Sequence, residues 1–343
     1  MWTPSKRSAN VREKGVPPTI GAMSSAQSVG GHDHDAGVGP GSLEEVSDGI
    51  FAWIQPDGSW WINNCGALVG TDGVVSVDTC ATERRTRSYL DAIAKVTNAP
   101  IRTVVNTHHH GDHTHGNGLL PLATIIAHHR CRQLVIASGI HTYDGVFSPV
   151  DWGSLTVNAP FVTFDESLTV WVDQPSGPLE VQLRYVGGPA HTTNDVVAYL
   201  PQRKLLFAGD LVFNGGTPFV MMGSVTGALA SVDWLRAIGA ETIVPGHGEV
   251  CTPAVLDGLA AYYRFVLATA EAGRAAGWSP LETARSTDLG EFAELLDNER
   301  IVGNLHRAYA ELGGLPQGAP IDLGASIADM IAYNGGRPLR CLA

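Results

Sequence analysis

The segment 106–117 concentrates side chains that bind metal ions. Five histidines and one aspartate occupy its eight central residues, in the pattern His108-x-His110-x-Asp112-His113. Neutral imidazole nitrogens and carboxylate oxygens are ligands that zinc takes readily. A polar cluster directly after a strand lies where a fold can hold ligands rigidly and still admit a substrate. We therefore predict that this segment supplies one half of a two-metal site.

The residues around this pattern explain how one short segment can serve two ions. An apolar run, Ile101–Val105, predicts a buried strand just before the cluster. His108 and His110 are two residues apart, so both side chains point to one side of an extended segment. The glycine that follows lets the chain turn, so that the remaining aspartate and histidine face a second point.

Three further residues stand in contexts that suit metal ligands. His191, Asp210 and His247 each lie in a turn containing glycine or proline beside a predicted strand. Loops beside strand ends can converge at one edge of two packed sheets. One such residue on its own is more often structural than functional, whereas the three together with the histidine segment favour a real metal site.

Other polar residues near the pattern are candidates for supporting roles. Asp78 ends the predicted strand at Val74–Val77. It either caps the following helix or hydrogen-bonds a metal ligand from outside, and the sequence leaves both interpretations open. His109 and His115 are not required as ligands, and we predict them to be outer donors to the site.

The elements that must position these residues follow from hydrophobic patterning. Short runs rich in β-branched and aromatic residues predict strands, and Asp-Gly turns at 57–58 and 72–73 indicate an antiparallel start. The predicted strands are 46–54, 60–69, 74–77, 101–105, 124–127, 168–172, 179–186, 195–200, 205–208 and 241–244. The predicted helices are 82–95, 128–138, 228–238, 253–272, 279–287, 297–312 and 321–333. A turn-rich aromatic segment, 141–160, is either a lid or substrate wall of the site or ordinary surface packing.

These patterns divide the chain into three parts. Residues 1–43 are rich in Gly, Ser, Pro and Ala without periodicity, which predicts a disordered tail, and its segment 31–35 is a weak alternative metal site. Residues 44–250 carry the strands and the other candidate ligands and form the predicted catalytic domain. Residues 251–343 form a predicted helical extension packed on it, which either caps the pocket or makes the contact of a homodimer.

Composition restricts the partners and the location. The net charge of −12 disfavours nucleic acid and anionic membrane surfaces as partners. No apolar run reaches the roughly 18 residues that a membrane span needs, and no apolar segment follows the N-terminus, so we expect neither a membrane span nor a secretory signal. The five cysteines are scattered without a CxxC pair, which favours reduced thiols and a cytoplasmic protein.

The joint pattern resembles the metallo-β-lactamase superfamily over about residues 44–250. The matching residues, in the family's order, are the segment from His108 to His113, then His191, Asp210 and His247. The resemblance implies an α+β fold, namely a four-layer αββα sandwich, here with a helical C-terminal extension. It also implies that one ion takes His108, His110 and His191, that the second takes Asp112, His113 and His247, and that Asp210 bridges the two.

Departures from particular branches of this family narrow the expected activity. β-Lactamases of this fold do not use a bridging aspartate, whereas Asp210 is present here. Hydrolases of glutathione thioesters bind their substrate with a lysine in a helical C-terminal domain, and no lysine follows Lys204 in this chain. The resemblance therefore points to the thioesterase, lactonase and cyclase-like branch.

We expect a zinc-dependent hydrolase that cleaves an ester, thioester or lactone-type acyl bond of a small molecule. Two divalent ions would activate a bridging water, and Asp112 would orient the resulting hydroxide and pass a proton to the leaving group. The expected cofactors are two Zn²⁺ ions, with Fe or Mn as alternatives in one or both sites. Three other functions stay open: a metal-dependent cyclase or product-release enzyme of polyketide-like biosynthesis, a mononuclear-iron sulfur dioxygenase on His108, His110 and His191, and a non-catalytic metal-binding protein.

Overall fold

The first strand begins at Ser42, slightly before the predicted domain boundary. The computed structural model describes Gly39 and residues 41–343 of the chain. Most of the predicted tail, including the segment 31–35, lies outside these described residues. All seven predicted metal ligands lie within them.

Seven strands of the described chain form the first sheet, in sequence order. They are β1 (Ser42–Ser47), β2 (Ile50–Ile54), β3 (Cys65–Val69), β4 (Val74–Val77), β5 (Ile101–Val105), β6 (Thr124–His128) and β7 (Val162–Phe164). β1 to β4 pair antiparallel, as the turns predict, and β4 to β7 pair parallel. The prediction of one strand over 46–54 is wrong, because Gly49 adopts φ +68° and turns the chain between β1 and β2.

The second sheet supplies the other half of the sandwich. Its strands are β8 (Ser167–Gln174), β9 (Gly177–Tyr185), β10 (Val196–Leu200), β11 (Leu205–Phe213) and β12 (Thr242–His247). They are ordered β12-β11-β10-β9-β8, with β11 and β12 parallel and the other pairs antiparallel. β11 is buried along its whole length and extends beyond its predicted end at Ala208, so that Asp210 lies inside a strand.

The two sheets pack face to face over a shared apolar core. Leu68 and Val77 of the first sheet lie in one buried cluster with Leu183 and Leu205 of the second. The outer faces carry α1 (Glu83–Val96) and α3 (His129–Ser138) on the first sheet, and α4 (Val225–Ile238) and α5 (Val255–Ala275) on the second. The four-layer αββα prediction is therefore confirmed.

The predicted helices are all present in the described chain, and their ends lie within three residues of prediction. α1 begins where the pattern places it because the Thr82 hydroxyl accepts a hydrogen bond from Arg85 N. Its Tyr89 packs under the first sheet, where the phenol donates to Gly66 O. Among the described helices, none combines the length and the apolarity that crossing a membrane requires.

The C-terminal extension reaches the candidate site through α7 (Arg300–Leu312). α6 (Pro280–Ser286) precedes it and α8 (Leu323–Tyr333) follows it. Three buried polar side chains on one face of α7 hydrogen-bond the backbone of loop 217–222. The bonds run from Arg300 Nη1 to Thr217 O (3.0 Å), from Asn304 Nδ2 to Pro218 O (2.8 Å) and from Arg307 Nη2 to Met221 O (2.8 Å). This clamp fixes a loop whose residues line the candidate site.

The last residues of the chain hold the segment 141–160. Leu339 forms a parallel bridge with Phe147, and Ser148 Oγ donates to Cys341 O at 3.0 Å. Arg85 Nη2 donates to Leu342 O, so the same terminal residues also reach α1. The extension thereby braces one wall of the pocket described below.

Candidate metal centre

The first sheet contributes the histidine segment. β4 and β5 pair in parallel, so the residues that follow them meet at one edge of the sheet. Asp78 follows β4 there, and the histidine segment follows β5. The backbone of His110 is extended, with φ −63° and ψ 151°, and helix α2 (Gly111–Thr114) then begins. The sequence predicts a turn at this point, and the short helix carries Asp112 and His113.

The second sheet contributes the other three candidate ligands. Asp210 lies in β11, directly after Gly209, which adopts φ +51°. His247 ends β12, and His191 lies in the loop between β9 and β10. A Cβ added at Gly246 would stand 1.9 Å from Asp210 Oδ1, so the carboxylate occupies space that a larger residue would take.

Two groups of donor atoms converge at this edge, and Asp210 belongs to both. Within each group the donor atoms lie within 4.8 Å of one another. The first group is His108, His110, His191 and Asp210, and the second is Asp112, His113, His247 and Asp210. The structure thus brings together the seven residues that the sequence singles out, in the two sets that the resemblance implies.

The Asp210 carboxylate stands between the two groups. Its Oδ2 lies 3.3 Å from His191 Nε2 and 3.4 Å from His247 Nε2, while its Oδ1 lies 3.1 Å from His113 Nε2. Within the second group, Asp112 Oδ2 lies 3.3 Å from His247 Nε2. One carboxylate therefore reaches donors of both groups, which is the position of a bridging ligand.

Hydrogen bonds around the rings orient the histidines. His191 Nδ1 donates to the carbonyl of Phe219, and His247 Nδ1 donates to the carbonyl of Gly58 at 3.1 Å. A carbonyl can only accept, so Nδ1 of each ring carries a proton, and Nε2 is the nitrogen left to bind a cation once it is unprotonated. Nε2 faces the centre in both residues. This is the arrangement by which protein partners fix the tautomer of a metal-binding histidine.

Several atoms that face the centre have no partner of their own. His108 Nε2, His113 Nε2 and Asp210 Oδ1 are buried without a hydrogen bond of good geometry within the described residues, although the last two atoms lie 3.1 Å apart. His191 Nε2 lies 2.8 Å from His110 Nδ1, so the two nitrogens repel unless a proton or a cation lies between them. Buried polar atoms seldom lack partners. Nitrogen and carboxylate donors in two such groups fit two divalent ions, and they suit zinc.

Asp78 supports the metal centre through contacts with Thr107 and His113. Its carboxylate accepts from Thr107 N and Thr107 Oγ1, both at 2.7 Å, and lies 2.8 Å from His113 Nδ1. Thr107 Oγ1 also lies 3.1 Å from His108 Nδ1. Asp78 adopts φ +60°, a strained conformation of the kind that accumulates at functional sites. The alternative that Asp78 caps the following helix is wrong, since Thr82 caps it.

His109 and His115 lie beside the two groups. His109 Nδ1 is 3.0 Å from Asn194 Nδ2, which ties it to the loop that carries His191. The His115 ring packs against Trp61, with 5.8 Å between centroids. Neither side chain hydrogen-bonds a candidate ligand within the described residues. Their role as outer donors stays a prediction; in the structure the His109 ring holds a loop and the His115 ring fills space.

Burial and neighbouring charges lower the pKa of some central histidines and raise that of others. Burial lowers the pKa of His108 and of His110 well below the usual value, and adjacent histidines lower it further. Burial also opposes protonation of His113, but the carboxylates around it, Asp210 foremost, outweigh burial and raise its pKa well above the usual value. The same balance raises the pKa of His247 to about 9.

Neighbouring histidines lower the pKa of the two carboxylates, Asp112 and Asp210. Burial alone would raise the pKa of Asp112, but His113 and His247 outweigh it and hold this pKa below its usual value. Surrounding histidines likewise hold the pKa of Asp210 well below its usual value against the effect of burial. Both carboxylates are therefore ionised at neutral pH, which is the form that binds cations.

A pocket of about 690 Å³, its open mouth included, lies over the two groups. His110, Asp112, His191, Asp210 and His247 contribute to its floor. The walls are largely apolar and include Trp60, Phe147, Phe213, Phe219, Met222 and Met330. The segment 141–160 supplies part of these walls, as one of its two interpretations expected. The extension supplies another part through α7 and α8, in agreement with the expectation that it caps the pocket.

Sequence reasoning missed several residues that build the site. Arg300 lies on α7 but lines the pocket, and no local pattern distinguishes it from a surface arginine of an amphipathic helix. Thr107 and Asn194 support the histidines through contacts between distant segments. The carbonyl of Phe219 acts through the backbone and has no sequence signal at all.

The model of one protein family, described as the metallo-beta-lactamase superfamily, matches residues 58–247. That span contains all seven candidate ligands. The chain belongs to the metallo-beta-lactamase superfamily. A solved structure of this superfamily, the metallo-beta-lactamase from Pontibacter korlensis, aligns with a TM-score of 0.54 and 19% identity and covers 65% of this chain and 99% of its own. It shows the shared fold.

Relatives within the superfamily carry different names. The 2,4-dinitroanisole O-demethylase subunit alpha of Nocardioides sp. (strain JS1661) is 28% identical over 217 residues, which cover 60% of this chain and 55% of that protein. The hydroxyacylglutathione hydrolase of Rhodospirillum rubrum is 26% identical over 144 residues, which cover 42% of this chain and 46% of that protein. The chain thus spans about half the length of these curated relatives.

Proposed function

We propose that this protein is a hydrolase with two zinc ions that cleaves an ester, thioester or lactone-type acyl bond of a small molecule. The observation that carries the proposal is the Asp210 carboxylate, which lies 3.1–3.4 Å from histidine nitrogens of both donor groups. A ligand in this position would be shared by two bound cations. The second group is complete, which favours the hydrolase over a single-iron dioxygenase that needs only the first group.

Individual residues of the site have separate roles in the proposed reaction. When bound, two divalent ions supply a water-derived nucleophile at neutral pH and polarise the acyl oxygen. Asp112 is ionised and lines the pocket, so it can accept a proton from the attacking water and return it to the leaving group. Asp78 keeps the His113 ring in place through its 2.8 Å contact. The apolar walls limit the access of bulk water to the reacting atoms.

The relatives support the reaction class. A hydroxyacylglutathione hydrolase is by its name a hydrolase of a thioester, and it matches this chain over 144 residues. This chain has no lysine after Lys204, which argues against a glutathione conjugate as its own substrate. A cyclase or product-release enzyme would use the same residues, and the two activities differ in whether water enters the product.

Metal content and activity together test the proposal. Protein purified without added metal is analysed for zinc, iron and manganese and assayed on a panel of esters, thioesters and lactones. We expect about two zinc ions per chain, and Asp210→Asn should lose metal and at least about 100-fold in hydrolysis, since loss of even an outer contact costs up to that much in metal affinity. Asp233→Asn is the matched control, because that side chain is 82% exposed.

Two results would contradict the proposal. A single iron per chain with oxygen consumption would assign the dioxygenase instead. Unchanged metal content and hydrolysis in Asp210→Asn would remove the bridging role on which the proposal depends.

A further inference from the structure

We propose that the part of the substrate remote from the metal centre is uncharged and aromatic, and that it packs against a wall formed by Trp60, Phe147 and Phe219. The inference rests on the proposed function, because it concerns the substrate of the same pocket. It is carried by the rigidity of this wall, by the neutralised charge of Arg300, and by the apolar closure of the pocket at α8.

The aromatic wall has a fixed shape. The Trp60 and Phe147 rings lie 5.4 Å apart at 64°, and the Trp60 and Phe219 rings lie 4.9 Å apart at 79°. Both are edge-to-face contacts, which aromatic rings favour. Trp60 Nε1 donates to Glu299 Oε1 at 2.7 Å, so its polar atom is already paired. The wall therefore offers ring carbons to a ligand and matches a flat apolar group.

Arg300 is the one cationic side chain among the described lining residues outside the metal centre. Its charge is already compensated, because Nη2 lies 2.8 Å from Asp297 Oδ2 and Nη1 donates to Thr217 O. Its guanidinium also stacks on Trp60, 4.1 Å from the ring centroid, and the residue is 2% exposed. A substrate anion that approached the Nη groups of Arg300 would have to displace Asp297, so this wall disfavours a charged group.

The side of the pocket next to α8 is apolar as well. Phe219, Met221 and Met330 converge beside Gly303, where an added Cβ would lie 2.8 Å from the Phe219 ring and 3.3 Å from each sulfur. Ile327 of α8 completes this side. A carboxylate or ammonium placed here would be desolvated without a partner, which is costly. Methionine side chains adapt to the outline of an apolar ligand, so this side of the pocket suits rings of varied substitution.

Hydroxamates that anchor on the zinc-loaded enzyme test this inference without requiring turnover. Three are compared by calorimetry: they share a four-carbon chain and end in a phenyl group, a cyclohexyl group or a carboxylate. We expect the phenyl compound to bind at least tenfold more tightly than the carboxylate and more tightly than the cyclohexyl compound. Equal affinities, or no binding of the phenyl compound, overturn the inference.

A charge placed on α8 supplies the second test. Ile327→Lys should raise the affinity of the carboxylate hydroxamate at least tenfold and weaken binding of the phenyl compound, because a cation then lines the pocket on the side of α8. Ile331→Lys is the matched control, since it lies on the same helix and does not line the pocket. Equal effects of the two variants would overturn the placement of the substrate.

Matched esters with the same three end groups separate this inference from the proposed function. Preferential hydrolysis of the phenyl ester supports both. Hydrolysis of all three esters at equal rates overturns the inference and leaves the proposed function standing. Selective binding of the phenyl hydroxamate, with no ester, thioester or lactone of the panel cleaved, overturns the proposed function and leaves the inference standing.

Discussion

Replacing Asp78 by asparagine removes one charge and keeps the shape of the support behind the metal centre. The native carboxylate accepts from Thr107 N and Thr107 Oγ1 and lies 2.8 Å from His113 Nδ1. Asparagine tolerates the positive φ of +60° at this position better than most residues. It has one accepting oxygen, so its amide nitrogen must face either Thr107 N–H or the Thr107 hydroxyl and His113 ring, which share one carboxylate oxygen. The expected effect is a less basic and less firmly oriented His113.

The size of the effect follows from this geometry. Loss of an outer partner of a metal-binding histidine typically lowers metal affinity by about 10–100-fold, which is about 1.4–2.8 kcal/mol. Asp78→Ala does more damage, because it leaves the buried Thr107 N–H without a partner, at about 1–3 kcal/mol. It also places alanine in the left-handed region, at about 1–2 kcal/mol. Comparing the two variants therefore separates the loss of charge from the loss of fold.

Competition between the metal-free protein and a chromophoric chelator measures the zinc affinities. In Asp78→Asn we expect one of two affinities to fall by 10–100-fold, namely that of the group containing His113. The group of His108, His110 and His191 should change less, and the urea midpoint of the metal-free protein should change little. Asp233→Asn serves again as the exposed control. Two unchanged affinities in Asp78→Asn would refute the argument that this carboxylate supports the site.

Four further predictions concern packing, loop support, metal linkage and pH. Gly246→Ala should abolish metal binding, because its Cβ would stand 1.9 Å from Asp210 Oδ1. Gly258→Ala on α5, where an added Cβ has no neighbour within 4 Å, should instead raise the free energy of unfolding by about 0.5–1 kcal/mol. Metal analysis checks the first variant and urea titration the second, and metal retained by Gly246→Ala would contradict the first expectation. Asn304→Ala should lower the free energy of unfolding by about 3 kcal/mol in urea titration, because Val220 N–H and Pro218 C=O of loop 217–222 lose their hydrogen-bond partner. A change below about 1 kcal/mol would contradict the role of α7 in holding this loop. Chelation should lower the melting temperature and zinc should restore it, with about 4 kcal/mol of stabilisation at free zinc near 1,000 times Kd; a melting temperature insensitive to both treatments speaks against bound metal. Burial lowers the pKa of His115 from 6.5 to about 4, so its contribution to stability, up to about 3 kcal/mol, is present above pH 6.5 and lost as pH falls toward 4. In melts followed by circular dichroism, His115→Gln should reduce the fall of the melting temperature between pH 6.5 and 4. An unchanged fall would assign this pH dependence to other groups.

Elements with local signals were predictable. β5 matches its predicted bounds because an apolar β-branched run ends abruptly at a polar cluster, and α1 begins after Thr82 because that residue caps it. β11 was predicted too short, because Gly209 and Asp210 read as a turn in sequence. In the structure both lie in a strand, since pairing with β12 and burial between layers override the local preference. Tertiary context routinely decides strand ends in this way.

The sequence by itself determined the donor chemistry, because imidazole and carboxylate ligands are properties of single residues and four of the seven lie within residues 108–113. Only the tertiary structure decided that Asp210 stands between the groups, and that the Phe219 carbonyl orients His191. It also decided that Arg300 from a C-terminal helix is neutralised inside the pocket wall. These features depend on which strand ends and loops become neighbours when two sheets and α7 pack together. Packing of that kind joins residues far apart in sequence, and no local pattern encodes it.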